Sequence, residues 1–133
     1  LLGNGVRFGV ARDVLAAGEG VETVLALRTV LPALPMVAAL SAGHLAALCL
    51  PPTLRRLYIA RDNDAAGRRA AERLGSRAEA LGIEALVLAP VLGDLNDDLL
   101  AHGVAALRAH LRAQLAPEDV ARFWMSGGWP WGA

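Results

Sequence analysis

The sequence predicts an α/β domain: a four-stranded parallel sheet with helices on both faces. Two observations carry that expectation. Strand-like segments with short apolar centres recur at 14–17, 36–40, 55–62 and 84–90, and amphipathic helical segments separate them. Strands that are apolar throughout are buried on both faces, and this is the condition of a parallel sheet between helix layers. The chain has 133 residues, of which 55 % are hydrophobic. That length suits one domain, and that composition supports a core rather than disorder.

The elements run in order along the chain. Residues 5–9, "GVRFG", alternate and read as a short strand left over from a preceding segment. "VLAA" (14–17) is the first buried strand. Over 20–31, Val21, Val24, Leu25, Leu27 and Leu31 fall at helical spacing, and Pro32 stops the helix. "MVAAL" (36–40) is the second strand. "GHLAALCL" is a short helix that must end before Pro51 and Pro52. "RRLYIARD" (55–62) is the third strand. The clearest helix spans 64–81, with Gly67, Ala70, Ala71, Leu74, Ala78 and Leu81 on one stripe and Gly82 at its end. "EALVLAP" (84–90) is the fourth strand. Residues 97–115 are helical with an interruption at Gly103, and place Val104, Leu107, Leu111 and Leu115 inward. The division is 1–13 as a remnant of a preceding segment, 14–115 as the domain, and 116–133 as a tail holding all three Trp.

Composition narrows the function. The formal net charge is zero, so the chain is not a polycation that coats nucleic acid. All thirteen basic residues are Arg, the better phosphate fork. One Cys, Cys49, excludes an internal disulfide and a cysteine-rich zinc site, and fits a reducing cytoplasm. No apolar run reaches membrane-spanning length, so no membrane partner is expected. The first residue is not Met, as expected for a piece of a longer protein.

Chemistry in an open parallel sheet gathers beyond the carboxyl ends of its strands. Glu19 comes after the first strand; Asp62 and Asp64 after the third; Asp94, Asp97 and Asp98 after the fourth. Glu19, Asp62, Asp64 and Asp94 brought together repel one another unless a cation joins them. Hard oxygen donors without His or Cys suit Mg²⁺ or Mn²⁺. The implied chemistry is phosphoryl or nucleotidyl transfer on phosphodiesters. Ordinary roles compete with this reading. Asp64 is equally well placed to cap the helix that starts next to it. Asp62 and Asn63 are also common turn residues. Asp97, Asp98 and Glu22 sit in first helical turns, where the dipole favours acids. Glu19 lies between two glycines, and a damaged dinucleotide loop is its alternative. "GEGVET" covers two thirds of G-x-G-x-x-G, but Thr23 stands at the third glycine and a Glu inside the loop would repel a pyrophosphate.

"GEG" after the first strand, "DND" with Gly67 after the third, and "GDLND" after the fourth together resemble the toprim domain. That domain is shared by bacterial-type primases, type IA and type II topoisomerases, nucleases and recombination-repair proteins. "GEGVETVLAL", "SAGHLAAL", "IARDNDAAGRRAAERL" and "DLNDDLL" look most like primase-like proteins of phages, plasmids and mobile elements. The resemblance covers roughly 14–103. It implies a Rossmann-like fold, with the first and third strands adjacent and the order 2-1-3-4. It also implies that Glu19 acts as general acid or base, that Asp62 and Asp64 hold Mg²⁺ (or Mn²⁺), and that Asp94 is the third-motif acid. Asn96 stands where primases often carry a second Asp. Gly18, Gly20 and Gly67 are the motif's structural positions. The implied function is a DNA primase-like nucleotidyltransferase working on nucleic acid and nucleotides, within a longer cytoplasmic protein. A metal-dependent nuclease and a non-catalytic binding module are the alternatives. The one Tyr, Tyr58, lies inside the third strand, which argues against a self-contained topoisomerase.

Arg61 and Arg68, nearest the acids, are the candidates for phosphate. Arg69, Arg73 and Arg77 fall at i, i+4, i+8 and serve either a nucleic-acid backbone or a solvated face shared with Glu72 and Glu79. His44 lies near the same edge; His102 and His110 read as structural or exposed. The Trp residues of the tail serve either base stacking or packing.

Overall fold

The computed structural model describes residues 5–124. The strands are β1 (Val6–Phe8), β2 (Val14–Gly18), β3 (Met36–Ala38), β4 (Arg56–Ala60) and β5 (Glu84–Leu88). The helices are α1 (Val21–Val30), α2 (Ala42–Ala46), α3 (Ala65–Ala80), α4 (Leu95–Arg112) and α5 (Pro117–Phe123). The sheet order is β1-β3-β2-β4-β5. The four expected strands are β2 to β5, mutually parallel and in the expected order.

The sheet nevertheless has five strands rather than four and is not wholly parallel. β1, from the segment read as a remnant, pairs antiparallel with β3 and sets Phe8 opposite Met36. Its pairing covers the outer edge of β3, a three-residue strand that would otherwise expose its backbone donors and acceptors. Residues 1–4 of that segment lie outside the described residues.

Successive residues of β4 face opposite layers. Tyr58 and Ala60 meet α1, α4 and α5, whereas Leu57 and Ile59 meet α2 and α3. β2 and β4 are buried throughout. β5 is an edge strand, and Val87 is exposed. α3 reaches the sheet through Gly67, Ala70, Ala71, Leu74, Gly75 and Ala78, small residues that allow close packing. Two expected core positions are exposed instead. Leu25 turns outward because Thr23 and Val24 hold the inner face of α1, and Leu81 lies past the end of α3. α4 breaks at Gly103, whose φ of 86° no side-chain-bearing residue adopts cheaply. Beyond the break Leu107 and Leu111 are buried and Val104 is half-buried.

The segment read as a Trp-rich tail contains α5, which docks on the amino end of β4. Asp119, 2 % exposed, accepts from Arg56 Nη1 at 3.0 Å and from the Tyr58 hydroxyl at 2.5 Å. Tyr58 in turn accepts from the Ala116 amide. Burial and the Asp119 hydrogen bond push the Tyr58 hydroxyl well above its usual range. Burial disfavours charge on Arg56, but Glu84, Glu118 and Asp119 outweigh it and hold the guanidinium charged. Trp124 packs on the core under the guanidiniums of Arg108 and Arg112. Residues 125–133, with the other two Trp, lie outside the described residues. Among the described residues no helix is long and apolar enough to cross a membrane.

Removing one partner of a buried ion pair strands the other. Asp119→Ala is therefore expected to lose about 3–5 kcal/mol of stability. Glu118→Ala, which removes an exposed carboxylate from the same arginine and leaves Asp119 and Glu84 on it, loses about 0–1 kcal/mol. Urea denaturation of the two variants separates them.

Candidate active site

The strand register defines the site. Gly18 lies opposite both Ala38 and Ala60, and Ala60 lies opposite Leu88. β2, β3, β4 and β5 therefore end level, and the loops that leave them emerge at the same edge. Glu19 comes one residue after β2, Asp62 two after β4, and Asp64 caps α3. Asp94 is farther along the chain, but its loop is tied back. The Asn63 amide donates to the Gly93 carbonyl and the Asn63 side chain to the Leu92 carbonyl, both at 2.7 Å.

Asp64 takes the capping role weighed for it, and Asp94 caps α4 in the same way. Asp64 Oδ1 accepts from the Gly67 amide at 2.6 Å, and Asp94 Oδ1 accepts from the Asp97 amide at 2.8 Å. Each caps its helix with that one oxygen. Asp62 is different. It is half-buried, and its Oδ1 is buried without a hydrogen-bond partner. Its carboxyl is pushed up to about 6, first by burial and then by the charges of Glu19, Asp94 and Asp64; a Thr23 hydrogen bond partly opposes this. The four expected acids thus share one electrostatic neighbourhood.

The glycines differ in role. A Cβ on Gly67 would lie 2.8 Å from the Asp62 carbonyl oxygen and 3.0 Å from Asp64 Oδ1, so α3 can start this close to the sheet only with glycine. A Cβ on Gly18 would meet Val24 Cγ2 at 2.9 Å. Gly20 is extended and a Cβ there meets nothing within 4 Å. Packing within the chain therefore explains Gly18 and Gly67 but not Gly20.

Three further residues shape the site without having been singled out for it. Thr23, the residue that spoils the dinucleotide pattern, is buried and bonds Asp62; its signal was a polar residue on the inner face of α1. Asp98, read as a helix-dipole acid, is buried and accepts from the Val91 and Leu92 amides at 2.8 Å each, which shapes the loop before Asp94. Leu40 holds φ at 83° while its amide donates to the Glu19 carbonyl at 2.6 Å. Such strain in a non-glycine residue persists only where its surroundings enforce it, and no sequence signal marks it.

The other candidates sort by exposure and partner. Arg61 is half-buried, with one terminal nitrogen on Asn63 at 3.2 Å and Nε buried without a partner. Arg68 is exposed on the first turn of α3. His44 is exposed and bonded to Ser41, the α2 cap. Asn96 donates to Glu22 at 3.4 Å, joining the first turns of α4 and α1.

Mg²⁺ or Mn²⁺ fits the donor set by chemistry. All four side chains offer hard oxygens, the Asp62 oxygen lacks any partner, and Asp64 and Asp94 each commit only one oxygen to capping. As the side chains stand, no three His, Cys, Asp or Glu among the described residues are gathered closely enough to hold an ion.

The family model described as Toprim domain matches residues 14–105. The chain belongs to the Toprim family. Three of the solved structures to which it is similar are primases or primase domains. A DNA primase domain from Pseudomonas aeruginosa is 27 % identical with a TM-score of 0.54, covering 77 % of this chain and 33 % of that one. The primase fragment of the bacteriophage T7 primase-helicase protein is 16 % identical with a TM-score of 0.59, covering 78 % and 44 %. The Aquifex aeolicus primase, comprising zinc-binding and RNA polymerase domains, is 21 % identical with a TM-score of 0.51, covering 82 % and 28 %. The last two show the fold alone. The chain spans less than half the length of each neighbour. No curated protein matches it.

Two expectations arise for this Toprim site. Gly18→Ala loses about 1–3 kcal/mol through overpacking against Val24, whereas Gly20→Ala leaves thermal stability within about 0.5 kcal/mol of wild type. Asp62 holds its proton more tightly folded than unfolded, so it lowers metal-free stability as pH rises from the ordinary carboxylate value through about 6. Asp62→Asn removes that dependence and raises the metal-free melting temperature at pH 7.5 by about 2–6 °C; thermal melts across pH check both effects.

Proposed function

We propose that this Toprim domain is the catalytic module of a DNA primase-like nucleotidyltransferase that uses Mg²⁺ or Mn²⁺ and acts on nucleic acid with nucleotides as substrates. It works in the cytoplasm alongside other domains of a longer protein. One observation carries the reading: Asp62, with a buried and unpartnered oxygen, stands in the field of Glu19, Asp64 and Asp94 at the carboxyl edge of the sheet. Uncompensated carboxylate charge of this kind destabilises a fold unless a cation or a reaction uses it.

The residues divide the work. Glu19, half-buried at the edge and held through its backbone by Leu40, accepts the proton of the attacking 3′-hydroxyl. The hydroxyl oxygen then bonds to the α-phosphorus of the incoming nucleotide, and pyrophosphate leaves. Asp62, Asp64 and Asp94 would hold the divalent ion, with Glu19 beside them. The ion supplies charge neutralisation for the phosphates and lowers the pKa of an oxygen bound to it. Arg61, with free donors next to Asp62, and Arg68, on the first turn of α3, meet phosphate oxygens. Asn96 in place of a second acid leaves one fewer charge to hold a second ion.

The test is primer synthesis on a single-stranded template by the protein that contains this domain. Glu19→Gln keeps size and polarity but cannot take a proton, and is expected to lower synthesis about 10²–10⁴-fold. Mg²⁺ is expected to raise the melting temperature of the wild-type chain and not that of Asp62→Asn. Synthesis unaffected by Glu19→Gln would overturn the role of Glu19, and strand nicking without nucleotides would move the assignment to a nuclease.

A further inference from the structure

A second feature of the molecule lies away from the acids. α2 and α3 pack side by side over one face of the sheet and leave a groove of about 680 Å³ between them. Its floor is small and apolar, with Ala42, Gly43 and Ala46 from α2 facing Ala66 and Ala70 from α3. Its wall is the row Arg69, Arg73 and Arg77. Arg77 is anchored, one terminal nitrogen donating to the Ala46 carbonyl at 2.8 Å. Arg69 and Arg73 take part in none of the ion pairs among the described residues. Glu72 is the one acid along the groove, against three arginines.

Position gives this groove its meaning. Ala42 lies just past the carboxyl end of β3, and Ala66 is in the first turn of α3, directly after the Asp64 cap. The groove therefore opens at the edge that carries the acids and runs away from it along α3. From Ala66 to Ser76 the helix advances about 15 Å. Arg69 and Arg73 are about 6 Å apart along the axis, on the scale of successive phosphates in an extended strand. Here Arg69 and Arg73, with Glu72 between them, border a floor of alanine and glycine in which Ser76 is the one uncharged polar side chain.

We propose that the α2–α3 groove is a track for the phosphate backbone of a single nucleic-acid strand, held by Arg69 and Arg73 and leading to the acidic edge. This rests on the reading that the acidic edge acts on nucleic acid. Recognition is by charge and is independent of sequence.

The test is the fluorescence anisotropy of a labelled single-stranded thymidine oligomer titrated with the 133-residue chain, without divalent metal or nucleotides. Wild type binds at low salt and weakens as salt rises. Arg69→Ala/Arg73→Ala is expected to weaken binding about tenfold and to flatten the slope of log affinity against log salt by about 1.4, from two lost phosphate contacts at about 0.7 each. Arg69→Lys/Arg73→Lys keeps most of the affinity. Arg12→Ala/Arg28→Ala, which removes equal charge from the opposite edge, changes little; equal melting temperatures confirm that all variants fold. The groove is overturned if wild type does not bind, if the alanine double variant binds like wild type, or if the Arg12/Arg28 variant loses as much. Duplex bound as tightly, with the same arginine dependence, overturns the single-strand assignment. Glu19→Gln separates the two ideas: it is expected to leave strand binding intact while removing synthesis. Loss of strand binding in the groove variant with synthesis intact in Glu19→Gln would leave the groove standing and remove the catalytic reading.

Discussion

Mutual repulsion among carboxylates at one edge of the sheet is the constraint around which the rest of the structure is arranged. Glu19, Asp64 and Asp94 all act on Asp62, and burial adds to their effect. No Lys is available anywhere in the chain to neutralise them. Backbone and loop contacts contain the repulsion instead. Asp64 and Asp94 each give an oxygen to a helix amide, which spreads their charge into the positive ends of α3 and α4. Asn63 clasps the two acid-bearing loops through Leu92 and Gly93. Asp98 takes the Val91 and Leu92 amides and shapes the loop between β5 and α4. The Asp62 carboxylate is the charge these contacts leave uncompensated, and that remainder points to function.

The opposite edge is built the other way. Several of its charges are paired. Asp13 accepts two bonds from Arg122 at 2.7 Å and one from Arg55 at 3.0 Å, and Arg122 first and Arg55 second hold its carboxyl well below the usual range. Arg56, Tyr58 and Asp119 close the same end from inside. The exposed pairs contribute little each, but together with the Asp119 cluster they tie α5 and the start of β2 to the base of β4. A net charge of zero therefore conceals a polarised molecule. One end is tied by ion pairs, and the other holds the acids, of which Asp62 keeps a buried oxygen without a partner among the described residues. Such an asymmetry suits a domain that keeps a rigid base and does chemistry at its opposite edge.

Much of this was legible along the chain because its signals are local. The apolar runs at 14–17 and 55–62 are β2 and β4, buried on both faces as their composition requires. Gly103 interrupts α4 where the glycine stands, since only glycine takes that φ cheaply. Glu19, Asp62, Asp64 and Asp94 were legible because parallel strands deliver their outgoing loops to one edge. The features that could not be read depend on distant partners. The pairing of β1 depends on β3 having a bare edge some 30 residues away. Leu25 looked inward by periodicity, but Thr23 takes the inner place because Asp62 is there to receive its hydroxyl. Asp98 and Asp119 look like ordinary first-turn acids until the amides and the arginine they bind come into place.

By itself the sequence determined the order of elements from β2 to α4, the parallel core and the set of acids. Hydrophobic period, helix caps and glycine positions act over a few residues and need no partner to be recognised. The tertiary structure alone decided which acid bears the strain. Asp62, Asp64 and Asp94 are chemically the same residue type, and only packing commits two of them to helix caps while burying an oxygen of the third without a donor. It also decided that the exposed Arg69 and Arg73 border a groove, because α2 lies alongside α3. In both cases the physical reason is the same. The energy of a charge is set by its surroundings, and those surroundings come from parts of the chain far apart in sequence.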